Sequence, residues 1–233
     1  MRTRPHPDRR RPTQQPKRGA SAKRRPRWQR RPDDRPTEII EAAFRVFGEH
    51  GLAATRLEDV ARDAGVSKGT IYLYFDSKEA LFRAVVRAKI VTAIERAERA
   101  LDEEPGPSGV FRAFAKRHWE FVTSRDFDTM HRLVNGELTR FPDLARFYGS
   151  EVIARSIKLL TTVMERSMAR GELRTGNPRH AASAFSAMFI THGVWYARRQ
   201  LFGCFTDEPP EQVRDRLIDF FLQAAGPTER HHP

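Results

Sequence analysis

From Thr37 to Ala225 the apolar residues recur at three- and four-residue intervals, and no stretch of useful length alternates with the two-residue period of a strand. That regularity confines the chain to an all-α fold, because a stripe repeating every 3.6 residues is buried only by a helix. Ile40, Ala43, Phe44 and Phe47 make the first stripe, with Thr37 placed to N-cap the helix and Gly51 to end it in a left-handed cap. Thr55-Arg56-Leu57-Glu58 reads as a capping box opening a second helix, which turns Leu57, Val60, Ala61 and Ala64 inward and stops at Gly65. Ser67 caps a short third helix with Ile71 inward. Ser77 caps a fourth, carrying Leu81, Phe82 and Val85 and running to about Leu101. After a turn at Glu104-Pro105-Gly106-Pro107 the spacing predicts helices over 108–125, 129–140, 143–170, 178–202 and 210–225, with Asn177-Pro178 as N-cap and first residue of the fourth. No internal repeat is present.

Charge is distributed very unevenly. Of the 233 residues, 42 are Lys or Arg and 30 Asp or Glu, a net of +12. Residues 1–36 hold 14 of those bases against 3 acids, together with seven of the fifteen prolines and no periodic apolar pattern. Such a segment buries too little to offset its ordering entropy and reads as a disordered basic tail, either solubilising or an arm for nucleic acid. Residues 37–89 balance at 8 bases and 8 acids, and 90–233 at 20 and 19. No apolar run follows the arginine pairs, so export is not expected. Residues 181–197 are uncharged but short, and include Ser183, Ser186, Thr191 and His192, which suits a buried helix better than a membrane span. The lone cysteine, Cys204, excludes a disulfide within the chain, fits a reducing compartment, and reads as a packed thiol in preference to a redox sensor.

The stretch 55–75, TRLEDVARDAGVSKGTIYLYF, joins an amphipathic helix, a glycine turn and a short helix opening with small polar residues. That is the layout of a helix-turn-helix, whose second helix presents its N-terminal side chains to the major groove. A plain helical hairpin is the competing reading. On the first reading Lys68 is a donor to phosphate or guanine, and Thr70 hydrogen-bonds a base or touches a thymine methyl. Ser67 and Gly69 open the helix, with Gly69 permitting close approach. Thr55, Arg56, Tyr72, Tyr74 and Lys78 complete the DNA-binding candidates, mainly as phosphate contacts.

The run FGEHGLAATRLEDVARDAGVSKGTIYLYFDSKEALFRAVV resembles the DNA-binding domain of the TetR/AcrR family of transcriptional regulators over about 37–90. The resemblance rests on the F-x-x-x-G end of the first helix, the threonine before the second, A-G-V-S-K-G-T-I-Y, the Y-F pair and S-K-E-A-L-F. Beyond residue 100 it is weaker, carried by R-G-E-L-R at 170–174 and the long helices after it. It implies a homodimer of all-α subunits, each with a three-helix head and a helical effector domain. A four-helix dimer bundle is implied from the last two long helices, with Phe185, Phe189, Tyr196, Val213, Leu217, Phe220 and Phe221 as interface candidates. Intrachain packing is the alternative for about half of these.

The expected organisation is therefore a tail at 1–36, a DNA-binding domain at 37–90, an effector and dimerisation domain at 91–227, and a short tail at 228–233. Phe111, Phe114, His118, Phe121, Met164, Met188, His192 and Trp195 are the effector candidates, since apolar and aromatic walls with a few polar groups typify small-molecule sites. On this basis Trp195 is expected to report effector binding. Gly65-Val66-Ser67-Lys68-Gly69 matches G-x-S-x-G, but a helix, not a strand, precedes the serine. Histidine spacing suggests no metal site, and neither a catalytic constellation nor a cofactor is expected. The sequence thus points to a ligand-responsive regulator, a repressor on a palindromic DNA operator, cytoplasmic and on the nucleoid. An effector would act by shifting the helix that begins at Ser77. An architectural, nucleoid-coating DNA-binding protein is the rival.

Overall fold

In the computed structural model, which describes residues 35–103, 109–203 and 206–226, every regular element is helical. Helix α1 (Arg35–Ala54) is already running at Arg35, so Thr37 lies inside it and is not its N-cap. Gly51 breaks its axis at φ 79°, ψ 164°. The positive φ is as expected, but the ψ is extended, so 52–54 form a separate turn beyond the break.

Helix α2 (Leu57–Asp63) is capped one residue later than the sequence suggests. Arg56 is the N-cap, and its N–H donates to Asp59 Oδ2 at 3.3 Å. Thr55 is buried, with its hydroxyl donating back to the Gly51 carbonyl at 2.6 Å, so neither Thr55 nor Glu58 belongs to the cap. At the other end Gly65, at φ 66°, lets Val66 N–H reach the Ala61 carbonyl (2.9 Å) and its own N–H reach Arg62 (3.2 Å). This paired pattern satisfies the last carbonyls of α2.

The next two caps are those expected. Ser67 Oγ accepts from Thr70 N–H at 3.1 Å to open α3 (Lys68–Tyr74), and Ser77 Oγ accepts from Ala80 N–H at 3.1 Å to open α4 (Lys78–Val86). A π-helical turn, Arg87–Val91, joins α4 directly to α5 (Thr92–Ala100), making one rod that leaves the head.

The body contains α6 (Gly109–Val122), α7 (Arg125–Glu137), α8 (Pro142–Tyr148), α9 (Arg155–Ala169), α10 (Pro178–Ala197), α11 (Arg199–Phe202) and α12 (Pro210–Ala225). Three boundaries differ from the periodicity. Ser124 caps α7 by accepting from Phe127 N–H at 3.2 Å, so the helix starts before 129. A π-helical turn, Gly149–Ala154, links α8 to α9, and Arg198 interrupts the 178–202 stretch. Asn177 does cap α10, its Oδ1 accepting from Arg179 and His180 N–H at 3.0 and 3.1 Å.

One apolar core runs through head and body. Phe47 meets Phe82 edge-on at 6.0 Å to lock α1 on α4, while Phe111 stacks on Phe221 at 5.1 Å and Phe185 on Phe189 at 4.2 Å inside the body. No described helix is long and apolar enough to cross a membrane. The basic tail through residue 34, the turn at 104–107, Cys204 and the segment 228–233 lie outside the described residues.

Candidate nucleic-acid interface and effector cavity

Ile71, fully buried, pins α3 to the head and leaves the opposite side of that short helix in solvent. Lys68, Gly69, Tyr72, Leu73 and Tyr74 are all exposed. Lys68 Nζ pairs with Glu58 Oε1 of α2 at 2.6 Å, which raises the lysine pKa and lowers that of the carboxylate. Thr70 Oγ1 lies 2.8 Å from Ser67 Oγ. Arg56 is exposed at the start of α2. Thr55 is not available as a surface contact, being buried as described above. Nor is Lys78 a free phosphate donor: its ammonium bonds the carbonyls of Leu52 (3.0 Å), Ala53 (2.9 Å) and Thr55 (3.4 Å). Leu73, which sequence reasoning passed over, is 82% exposed.

The turn at 52–55 that precedes α2 is held from two sides. Against the lysine on its carbonyls stands Glu137, at the end of α7, whose two oxygens accept from Leu52 N–H (3.0 Å) and Ala53 N–H (2.7 Å). A Cβ at residue 51 would overlap that carboxylate, so both backbone angle and space demand glycine. The far end of α7 is tied down too. Lys89, in the π-helical turn, bridges Glu41 of α1 (2.8 Å) and Asp126 of α7 (3.1 Å) above the Phe44 ring. Burial alone would lower the Lys89 pKa, but the two carboxylates outweigh it and raise it. Helix α7 thus braces the head at both of its ends.

The effector candidates separate into three groups. Phe114, His118 and Phe121 line a cavity of about 410 Å³ between α5, α6 and α9, closed by Ile94, Ala97, Leu159 and Leu160. Arg96, Arg117 and Glu120 stand at its edge. Phe111 and Met164 are wholly buried in the core and do not form its wall. Met188 and His192 face the other way, into a shallow groove with Thr191, Phe220 and Phe221 between α10 and α12. Trp195 is 47% exposed, 6.1 Å from the His192 ring. The interface candidates are displaced in the opposite sense. Phe185, Phe189, Tyr196, Val213, Leu217 and Phe221 are buried within the subunit, and only Phe220, 63% exposed, reaches the surface. Helix α10 is apolar on nearly every side, so periodicity does not reveal which face turns inward.

His118 is the cavity's distinctive polar group. Its Nε2 is enclosed and has no hydrogen-bond partner among the described residues, and burial holds its pKa down to about 4. The unfolded imidazole, with a pKa near ~6.5, binds a proton between those values that the folded one refuses. The stabilisation is therefore complete above the unfolded pKa and lost as pH falls toward the folded one, by about 2 kcal/mol at pH ~5. Chemical denaturation at pH 7.5 and 5.0 should show wild type losing more stability than His118→Phe by about that amount. Equal losses in the two proteins would contradict it.

Comparison with known proteins agrees with this geometry. Residues 39–85 match the model for bacterial regulatory proteins of the tetR family, and residues 109–227 match that for the C-terminal domain of AefR-like transcriptional repressors. The fatty acid metabolism regulator protein of Bacillus subtilis (strain 168) is 29% identical over 145 residues, which are 60% of this chain and 71% of that protein. The solved structure of a TetR-family transcriptional regulator from Mesorhizobium loti is similar at TM-score 0.66 and 26% identity, covering 85% of this chain and 100% of that one. The flavonoid-responsive regulator FrrA is similar at TM-score 0.58 and 30% identity, covering 84% and 98%. Two family models that together span head and body, on a head that exposes a helix-turn-helix, establish that the chain belongs to the TetR family of DNA-binding transcriptional regulators.

Proposed function

We propose that this regulator is a repressor that binds a palindromic operator as a homodimer and is released by a small, mainly apolar effector, acting in the cytoplasm on the nucleoid. The observation that carries the reading is the cavity beside α5, because α5 continues without a break into α4 and the head. Its wall of Phe, Leu and Ala with one neutral imidazole suits an apolar or aromatic molecule with one or two polar atoms. Relatives named for fatty acid metabolism and for flavonoids fit that chemistry. The division of labour we propose gives the basic tail to residue 36 and the DNA contacts to 37–90, with effector and partner contacts from 91–227.

The effector has two routes to the head. One runs along α5 and the π-helical turn into α4. The other passes from Phe121 in the cavity wall to Phe127 of α7, whose rings meet edge-on at 5.1 Å, and along α7 to Glu137. A coupling of about 1–3 kcal/mol through these elements changes operator affinity ~5- to 150-fold. Met188, His192, Trp195 and Phe220 form the exposed face of α10 and α12 and supply the subunit contact. Trp195→Ala is accordingly expected to weaken association of subunits, not induction.

DNA recovered with the protein by immunoprecipitation provides the test. The wild type should protect a single palindrome in a footprint, and an apolar or aromatic compound should release it. Ala97→Phe, which fills the cavity from its α5 wall, should keep operator affinity and abolish release. Protection spreading over any sequence would favour an architectural role. Unaltered release from the filled variant would move the effector elsewhere.

A further inference from the structure

Helix α3 places one large side chain directly opposite its buried anchor. Each residue advances about 100° around a helix, so positions two before and two after Ile71 point away from the core. These are Gly69 and Leu73, with Thr70 and Tyr72 on the flanks. Two of the helix's polar side chains have partners inside the head, Lys68 with Glu58 at 2.6 Å and Thr70 Oγ1 with Ser67 Oγ at 2.8 Å. The side chain directly opposite the anchor is apolar, and Leu73 is 82% exposed.

Gly69, one turn before it, carries the second observation. A Cβ there would meet only Ser67 Oγ, at 3.8 Å, an ordinary contact. Its φ is not in the left-handed region either. Nothing among the described residues demands a glycine, so the missing side chain frees space on the outside, where a helix entering a groove needs it. The outward face is a dent followed by a leucine.

A leucine makes no hydrogen bond, and the feature of a base edge that it favours is the 5-methyl group of thymine, which only T·A pairs present in the major groove. Resting on the reading of α3 as the recognition helix of a dimeric operator-binding protein, we infer that Leu73 is a specificity-determining residue. It packs on a thymine methyl in each half-site, with Gly69 letting the backbone approach closely enough.

The test uses full-length protein and duplex DNA selected from a random library. Wild type should enrich thymine at one symmetric pair of positions that Leu73→Ala does not enrich. Deoxyuridine at those positions keeps the base pairing and removes only the methyl. It should weaken wild-type binding about fourfold per half-site and about fifteenfold for both, as expected for one methyl group buried at each. Leu73→Ala should bind the thymine and uracil duplexes alike, with an unchanged thermal melt because the residue is exposed. Equal wild-type affinity for both duplexes at every selected thymine would overturn the inference, as would full discrimination retained by Leu73→Ala. A wild type that enriches no sequence would instead sink the operator reading, and this inference with it.

Discussion

Glu137→Ala should lower unfolding stability by about 2–4 kcal/mol and cost the protein most of its operator affinity, although residue 137 belongs to the body. Its carboxylate accepts from the Leu52 and Ala53 N–H groups, both part-buried. Leaving such a donor unpaired costs about 1–3 kcal/mol each. The loss falls on the turn that sets the angle of α2, and therefore of α3. Lys78 would remain on the carbonyl side of the same turn with no opposing anion. Glu137→Gln retains one acceptor oxygen and should fall between wild type and alanine. Gly51→Ala, which drives a Cβ into the same carboxylate at a backbone angle alanine resists, should reproduce the DNA-binding defect. Chemical denaturation beside DNA titration of the three variants decides the matter. Wild-type stability and affinity in Glu137→Ala would show that the turn holds itself. If α7 carries the effector signal, the alanine variant should also show a smaller ratio of DNA affinities without and with effector.

Neither jaw of that clamp was read from the sequence, where Lys78 stands as a phosphate contact and Glu137 lies inside the expected helix 129–140. Lys78 stands at the N-terminus of its helix and Glu137 at the C-terminus of its own, each at the end where the macrodipole disfavours its charge. A charge placed against the dipole is a sign that it serves something outside its helix, but the 85-residue separation hides the partner. The helices themselves were readable because glycine, serine and asparagine act locally, within three or four residues, at Gly65, Ser67, Ser77 and Asn177. Thr55 misled for a tertiary reason, since the turn after Gly51 points its hydroxyl inward and hands the cap to Arg56. The body was harder. Which face of α10 turns inward depends on what packs against it, and a helix apolar all round records no preference. Phe185 and Phe189 went inward, and Met188 and Trp195 outward, a half-turn from the expected arrangement. On α6 the residues that line the cavity, Phe114, His118 and Phe121, recur at helical spacing and so share one face, whereas Phe111 on the same stripe is buried in the core.

Removing residues 1–34 should flatten the salt dependence of DNA binding more than any single substitution in the head. The cut falls there because α1 is already helical at Arg35. The deleted segment carries 13 Lys or Arg against 3 Asp, whereas residues 37–89 balance at 8 against 8. Several of the head's own cations are also occupied: Arg45 by Asp63, Arg62 by Asp59, Lys68 by Glu58, Lys89 by Glu41 and Asp126. On the proposed reading, non-specific attraction to phosphate comes chiefly from the tail. If roughly five tail cations per subunit displace counterions, the slope of log K against log salt falls by about 4.5 per subunit. The change in affinity between ~50 and ~200 mM salt then shrinks several hundredfold for each subunit. The preferred sequence should not move if, as proposed, base edges are read by α3 and the tail contributes charge. Binding isotherms at four salt concentrations on one selected duplex and one scrambled duplex separate the two contributions. A truncated protein with the full-length slope would make the tail a solubilising segment, and would require Arg56, Arg83 and Arg87 to supply the phosphate contacts instead. A flattened slope on the scrambled duplex, with the ratio between duplexes preserved, is what a head that reads sequence and a tail that supplies attraction must produce.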